Sequence, residues 1–209
     1  MSLRRDESGY TLIETMVVMI VMSIILTFVY QVLISTQRTT FAANVRLENL
    51  EEARVLMATI TKDLRTAARP DPLDPTSSPF VQPTTADEVT FYAYLNTFTE
   101  PVKVHIYVDA SDRIVEEILR PPYTGAPEIR VVGRYVAEED VFTYFPPDDP
   151  TTPLTEPELI LPLDATELKL IDAVEVNLSI RKTTNATMTP TTLINRVRLP
   201  NVDYTPTES

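Results

Sequence analysis

An uncharged apolar run near the start of the chain constrains its fold more than any other stretch. The run extends from Thr15 to Ile34, twenty residues without a charged side chain. A helix rises about 1.5 Å per residue, so these residues would cross roughly 30 Å of hydrocarbon. Glu14 stands directly before the run. A carboxylate in that place costs on the order of 1 to 3 kcal/mol to insert unless it lies near the headgroups or is paired. The sequence therefore predicts a membrane-spanning helix whose Glu14 needs a partner.

The distribution of proline predicts where this helix ends. All 18 prolines lie at or after Pro70, and Gly9 is the only glycine before that point. One uninterrupted helix can therefore run from Tyr10 to Arg69, ending near Ala68 or Arg69 because the residue before a proline disfavours helical geometry. Its second half is amphipathic, since apolar residues recur at steps of three and four: Leu50, Ala53, Met57, Ile60, Leu64 and Ala67. We expect this face to pack on a soluble domain.

The rest of the chain shows the alternation of half-buried strands. After a proline-rich, irregular connection over residues 70–86, the alternating segments cover residues 89–96, 102–109, 113–120, 129–136, 141–145, 174–181 and 193–199. Residues 102–120 predict one hairpin and the last two segments predict a closing antiparallel hairpin, followed by a loose tail over 201–209.

These patterns together predict an α+β fold in which a long helix packs by its second half on an antiparallel sheet domain. The predicted divisions are a cytoplasmic leader (1–9), a transmembrane half of the helix (10–34), an amphipathic half (35–69) and one extracytoplasmic β-rich domain (70–209). Arg4 and Arg5 favour a cytoplasmic leader, although Asp6 and Glu7 dilute the bias.

Charge and composition exclude several functions. The formal net charge is -12, with 18 Lys and Arg against 30 Asp and Glu, which argues against nucleic acid as a direct ligand. The chain has no cysteine and His105 is its only histidine, so neither a thiolate nor a transition-metal site is expected. The acidic pieces at Asp109 to Asp112, at Asp148-Asp149 and at Asp71 with Asp74 lack the spacing of a calcium loop and are interpreted as solvated turns. No catalytic motif is present, so we predict neither enzyme activity nor a cofactor.

The N-terminal residues resemble a known family. Gly9, an aromatic residue, Thr11-Leu12-Ile13-Glu14 and the apolar run resemble the N-terminus of type IV prepilins and of the pseudopilins of type II secretion systems. Residues 56–67 are similar to the helix end of PilW-type minor pilins and J-type minor pseudopilins. The strand at 102–109 before Ile118-Leu119-Arg120, and the closing hairpin that ends at residues 196–201, are similar to the same group.

The resemblance implies a processed subunit of a filament. It implies that a prepilin peptidase cuts on the cytoplasmic side between Gly9 and Tyr10, and that the new amine of Tyr10 is methylated. It also implies that Glu14 contacts the N-terminal amine of a neighbouring subunit. The expected partners are the peptidase, other pilins or pseudopilins, an assembly platform of the inner membrane and, before assembly, lipid. The chain would be stored in the cytoplasmic membrane and then enter a periplasmic or cell-surface filament.

Three alternatives remain open from the sequence. The chain could be a tip adhesin or a DNA-uptake minor pilin, although its negative charge weighs against the DNA version. It could also be a membrane-anchored sensor or enzyme that is never processed. In the simplest alternative it is an ordinary anchor whose Glu14 snorkels to the interface.

Overall fold

One helix, α1 (Leu12–Arg65), accounts for most of the N-terminal third of the chain. The computed structural model describes residues 11–71, 74, 77–95, 100–137, 140–147, 158–182 and 189–200. The chain divides into two units, residues 1–44 and residues 45–209, and α1 contributes residues to both. The predicted tail at 201–209 lies outside the described residues.

The described residues of the second unit form eight strands arranged in two antiparallel sheets. The five-stranded sheet has the order β1-β2-β3-β4-β5, and the three-stranded sheet has the order β6-β7-β8. Neighbouring strands are consecutive in sequence in both sheets. The strands are β1 (Phe80–Val81), β2 (Glu88–Ala93), β3 (Val102–Val108), β4 (Arg113–Leu119), β5 (Glu128–Arg134), β6 (Phe142–Phe145), β7 (Ala173–Ile180) and β8 (Thr191–Arg198).

Both predicted hairpins are present. Strand β3 pairs with β4 from Lys103 opposite Leu119 to Val108 opposite Ile114. Strand β7 pairs with β8 along its whole length, from Ala173 opposite Arg198 to Ile180 opposite Thr191. The alternation of apolar and polar residues predicted these strands to within about two residues, because the apolar side of each one is buried or half-buried.

The two sheets share one hydrophobic core with the second half of α1. Core residues come from α1, from both sheets and from the segment around the short 3₁₀ turn Glu167–Lys169. The Tyr144 hydroxyl of β6 donates to the Glu88 carbonyl of β2, which links the sheets. The predicted helix face is confirmed: Leu50 is half-buried and the other members of the set, Ala53, Met57, Ile60, Leu64 and Ala67, are buried.

The predicted end of the helix is wrong by about four residues. α1 ends at Arg65 rather than at Ala68 or Arg69. The chain leaves helical geometry early because Ala67 forms an antiparallel bridge with Ala93, and the Ala68 N–H donates to the Tyr92 carbonyl at 2.8 Å. A further helical turn would have lost these hydrogen bonds to the edge of the sheet.

The connection over residues 70–86 is also not wholly irregular. Phe80 and Val81 form β1, opposite Phe91 and Thr90 of β2. The side chain of Phe80 is buried, and its ring lies 6.2 Å from Phe91 and 6.3 Å from Tyr144 between ring centroids. Burial of one aromatic side chain thus orders a short strand within a proline-rich segment.

Candidate functional site

The N-terminus of α1 is capped by the residues that the sequence singles out. The Glu14 N–H donates to the Thr11 hydroxyl at 3.3 Å and to the Thr11 carbonyl at 3.0 Å. Thr11 and Glu14 therefore hold the first and last positions of a Thr-x-x-Glu capping pattern. The Glu14 carboxylate lies in the first turn, where the helix dipole favours negative charge. The Thr-x-x-Glu spacing would have predicted this cap from the sequence, but the cap was not predicted.

The structure places one of the three predicted site residues. Gly9 and Tyr10 lie outside the described residues, so the cleavage and methylation sites stay predictions. Glu14 is exposed, and no Lys or Arg in the described ranges lies within ion-pair distance of its carboxylate. Its predicted partner belongs to another subunit, which a single chain does not contain. The assembly role of Glu14 therefore also stays a prediction.

The first unit carries a continuous apolar surface. The large hydrophobic side chains from Leu12 to Leu33 are exposed, with none of them buried by another part of the described chain. An 18-residue window of α1 has a mean hydropathy of 2.6, and α1 is the one helix in the described part of the chain that is long and apolar enough to cross a membrane. Composition and length fit a membrane anchor.

The hydroxyl groups within this run are satisfied by the helix itself. Ser23 donates to the Met19 carbonyl at 2.6 Å, and Thr27 donates to the Ser23 carbonyl at 2.8 Å. Near the two ends, Thr15 donates to the Leu12 carbonyl at 2.8 Å and Thr36 to the Val32 carbonyl at 2.9 Å. Hydrocarbon offers no partner for a hydroxyl, so internal bonding lets these residues enter it at low cost.

His105 lies on the outer side of the five-stranded sheet between two carboxylates. Its Nε2 is 3.1 Å from Glu88 Oε2 and its Nδ1 is 3.8 Å from Glu117 Oε2, while the ring stacks on Tyr107 with centroids 4.7 Å apart. Burial raises the pKa of Glu88, but hydrogen bonds from Thr84 and His105 outweigh burial and leave that pKa below its usual value. Among the described residues no group of three or more His, Asp or Glu could hold a metal ion.

The acidic turn at Asp109 to Asp112 is built by its own hydrogen bonds. The Asp109 carboxylate accepts from the Ser111 N–H at 2.8 Å, the Arg113 N–H at 3.1 Å and Arg113 Nε at 2.7 Å. The hydrogen bond from the Arg113 side chain is the largest cause that lowers the pKa of Asp109, and these backbone donors lower it further. Its oxygens therefore serve the turn, in agreement with the interpretation of this segment. Asp148 and Asp149 lie outside the described residues.

A buried acid pair was missed from the sequence. Asp63 of α1 lies buried beside Glu116 of β4, and Arg130 of β5 forms an ion pair with Glu116. The pKa of Asp63 is raised to about 7, mainly by burial and then by the neighbouring Glu116. Asp63 stands three residues after Ile60 and four before Ala67, so its place on the apolar face could have been read from the helical period.

Comparison with known proteins finds a match at the N-terminus of the chain. Residues 4–30 match the family described as "Prokaryotic N-terminal methylation motif". No curated protein sequence matches the chain. The motif supports a type IV pilin-like chain with a prepilin-type signal, processed and anchored through α1, and it favours a structural subunit over an enzyme. The match contains Gly9, Tyr10 and Glu14, so the motif covers all three predicted site residues.

Proposed function

We propose that this chain is a minor pilin or minor pseudopilin, a subunit that is processed in the membrane and then assembles into, or primes, a type IV pilus or a type II secretion pseudopilus. The observation that carries the proposal is the methylation motif at residues 4–30, which overlaps the start of an exposed apolar helix. The similarity of residues 56–67 to PilW-type and J-type subunits supports a minor subunit.

The proposed divisions follow from this function. Residues 1–9 are the cytoplasmic leader, 10–34 the transmembrane part that later forms the filament core, 35–69 the amphipathic part and 70–209 the extracytoplasmic domain. A prepilin peptidase removes the leader. The assembly platform of the inner membrane then moves the subunit from lipid into a filament in the periplasm or at the cell surface.

Glu14 has an electrostatic role in this proposal. Cleavage after Gly9 leaves a cationic amine on Tyr10, and pairing it with Glu14 of an adjacent copy offsets the cost of both charges at membrane depth. The contact is head to tail, so its repetition produces an open helical filament. The exposure of Glu14 and its lack of a described cationic partner support this role.

Processing is the experiment that tests the proposal. Mass spectrometry of the protein extracted from its native membrane should find a chain that begins with N-methylated Tyr10. As a matched control, Gly9→Leu should retain the leader, because the peptidase must accept an extended backbone without a side chain before the cleaved bond. A wild-type chain that begins at Met1 or Ser2 would contradict the proposal.

A further inference from the structure

A cleft runs along the second half of α1 beside strand β8. Its volume is about 610 Å³. Its lining combines apolar residues, Met57, Ala58 and Leu193, with three basic ones, Arg54, Lys62 and Arg65. All of these residues belong to the second unit. The cleft is therefore a surface that can offer apolar contact and positive charge together.

The charge of the cleft is opposite to that of the chain. The net charge is -12, yet no Asp or Glu of the described segments lines the cleft. Arg54 and Lys62 are both exposed, and no carboxylate in the described ranges lies within ion-pair distance of either one. Two such cations beside apolar lining residues are complementary to an acidic segment.

Strand β8 provides a second element of recognition. It is the last strand of its sheet and pairs only with β7 in the part of the chain that the structure describes. Since no described strand covers its other edge, the backbone N–H and C=O groups there can pair with an added strand. On the side away from α1, Ile194 is 62% exposed beside the same edge.

The spacing of the two cations defines the pattern of an added strand. Arg54 and Lys62 are separated by about 12 Å along α1, at roughly 1.5 Å per residue. Four residues of a strand cover about 13 Å, and residues i, i+2 and i+4 share one face. A segment with carboxylates at i and i+4 and an apolar side chain at i+2 would meet both cations and cover Met57.

We propose that the cleft docks an extended acidic segment of a different filament subunit, which adds to the free edge of β8. The proposal rests on the proposed function, since it needs a neighbouring subunit. The occupant is chosen by charge complementarity, since the exposed Arg54 and Lys62 beside an apolar lining match an acidic segment with an apolar side chain between its carboxylates.

A peptide pair tests the recognition pattern. A labelled Thr-Glu-Thr-Val-Thr-Glu-Thr peptide is titrated against the full chain in detergent micelles, alongside a peptide of the same composition whose two Glu residues stand at i and i+3. The first peptide should bind at least roughly fivefold more tightly, since only it presents both carboxylates on one face. Its binding should be lost at about 1 M salt, where the Debye length is about 3 Å. Equal binding of the two peptides would overturn the proposal.

Charge reversal locates the binding. The double variant Arg54→Glu with Lys62→Glu should weaken peptide binding roughly tenfold or more, as expected for two ion pairs lost and two repulsions gained. Arg38→Glu with Arg46→Glu makes the same charge change on the same helix outside the cleft, and should leave binding close to the wild-type value. An equal loss in both double variants would show general electrostatics and overturn the proposal.

Cross-linking then identifies the occupant. A photoreactive residue at Ala58 should capture the acidic peptide, whereas one at Leu47, exposed on the same helix, should not. Peptide binding that appears only after deletion of residues 201–209 would assign the cleft to the chain's own tail. Self-association that the Arg54 and Lys62 reversals abolish would assign it to a second copy. Either result would overturn the choice of a different subunit.

Processing measured on the same preparation separates the two proposals. A methylated Tyr10 without peptide binding would overturn the cleft proposal alone. An intact leader would overturn the filament role and, with it, the neighbouring subunit that the cleft proposal needs.

Discussion

Asp63 of α1 and Glu116 of β4 are neighbouring carboxyl groups that are both buried. Asp63 Oδ2 and Glu116 Oε1 have no hydrogen-bond partner among the described residues. A proton on one of the two carboxyl groups would let it donate to the other. Arg130 and Lys62 oppose protonation, but burial and Glu116 outweigh them and raise the pKa of Asp63 to about 7. The contact between the helix and the sheet therefore depends on a proton.

This pair makes the stability of the domain depend on pH. The pKa of Asp63 rises from an ordinary 3.8 to about 7 in the folded chain, so the native state holds the proton more tightly than the unfolded state. The stabilisation is complete below about pH 4 and is lost as the pH rises through about 7. We expect the free energy of unfolding, measured by denaturant titration of the full chain in micelles, to fall by up to about 1.4 kcal/mol per pH unit in this window.

Asp63→Asn should remove this slope. An amide can donate to Glu116 at any pH, so the variant should be more stable than wild type at pH 8 and should not lose stability between pH 5 and 7 through this site. Glu51→Gln, on the exposed side of the same helix, should keep the wild-type slope. A slope that persists in Asp63→Asn would assign the pH dependence to other groups.

The acid pair also shows what the sequence could and could not predict. The period of α1 identifies the buried face, because burial of a helix follows a local repeat. The same repeat places Asp63 on that face, but its partner Glu116 comes from a strand more than fifty residues later. Strand positions were predictable from alternation for the same local reason. The division into two sheets was not, because it depends on which strands meet in the folded chain.

The candidate site, like the fold, has parts that local sequence patterns predict and parts that they do not. Glu14 was found because a carboxylate beside an uncharged run is locally anomalous. The cleft beside β8 was not found, since it joins residues of α1 to residues about 130 positions later. The end of α1 was misplaced because Pro70 is a local signal, whereas the bridge between Ala67 and Ala93 is not.

Gly133 should not tolerate a side chain. A Cβ at this position of β5 would lie 2.5 Å from Leu56 Cδ2 and 2.9 Å from Leu56 Cδ1. Leu56 is 1% exposed, so the core limits its ability to move away. We expect Gly133→Ala to lower the free energy of unfolding by about 1 to 3 kcal/mol, as overpacking does in cores.

Two controls belong to this prediction. Gly125→Ala should cost little, because a Cβ there meets no atom within 4 Å. In a Leu56→Ala background the Gly133→Ala penalty should shrink, since the clashing atoms are gone and neighbouring substitutions couple. A penalty that is unchanged in that background would mean that the clash with Leu56 is not its cause.

Tyr144 should contribute through its hydroxyl as well as its ring. The phenol is buried and donates to the Glu88 carbonyl at 3.0 Å, and burial raises its pKa above the usual range. Tyr144→Phe should therefore lower the free energy of unfolding by about 1 kcal/mol. Tyr107→Phe removes a bond of the same length to Glu117 Oε1 at a partly exposed site, where water can replace the partner. The second loss should be the smaller one, and the reverse order would contradict the linking role of Tyr144.

The role of Glu14 can be separated from its place in the helix cap. Glu14→Gln removes the charge but keeps the size of the side chain and the Glu14 N–H bond to Thr11. Processing after Gly9 and membrane insertion should continue, because neither needs the carboxylate. Incorporation into filaments, measured by the amount of the chain in sheared filament fractions, should fall at least roughly tenfold, since an unpaired buried cation costs about 3 to 5 kcal/mol.

Thr11→Ala is the matched control for Glu14→Gln. It removes the capping hydroxyl, at a cost of about 1 kcal/mol of helix stability, but keeps the Glu14 charge. If the carboxylate pairs with the Tyr10 amine of a neighbouring subunit, Thr11→Ala should assemble close to wild type while Glu14→Gln does not. Equal defects in the two variants would mean that Glu14 acts through the start of α1. Wild-type incorporation of Glu14→Gln would exclude the salt bridge altogether, because that variant has no charge to offer the amine.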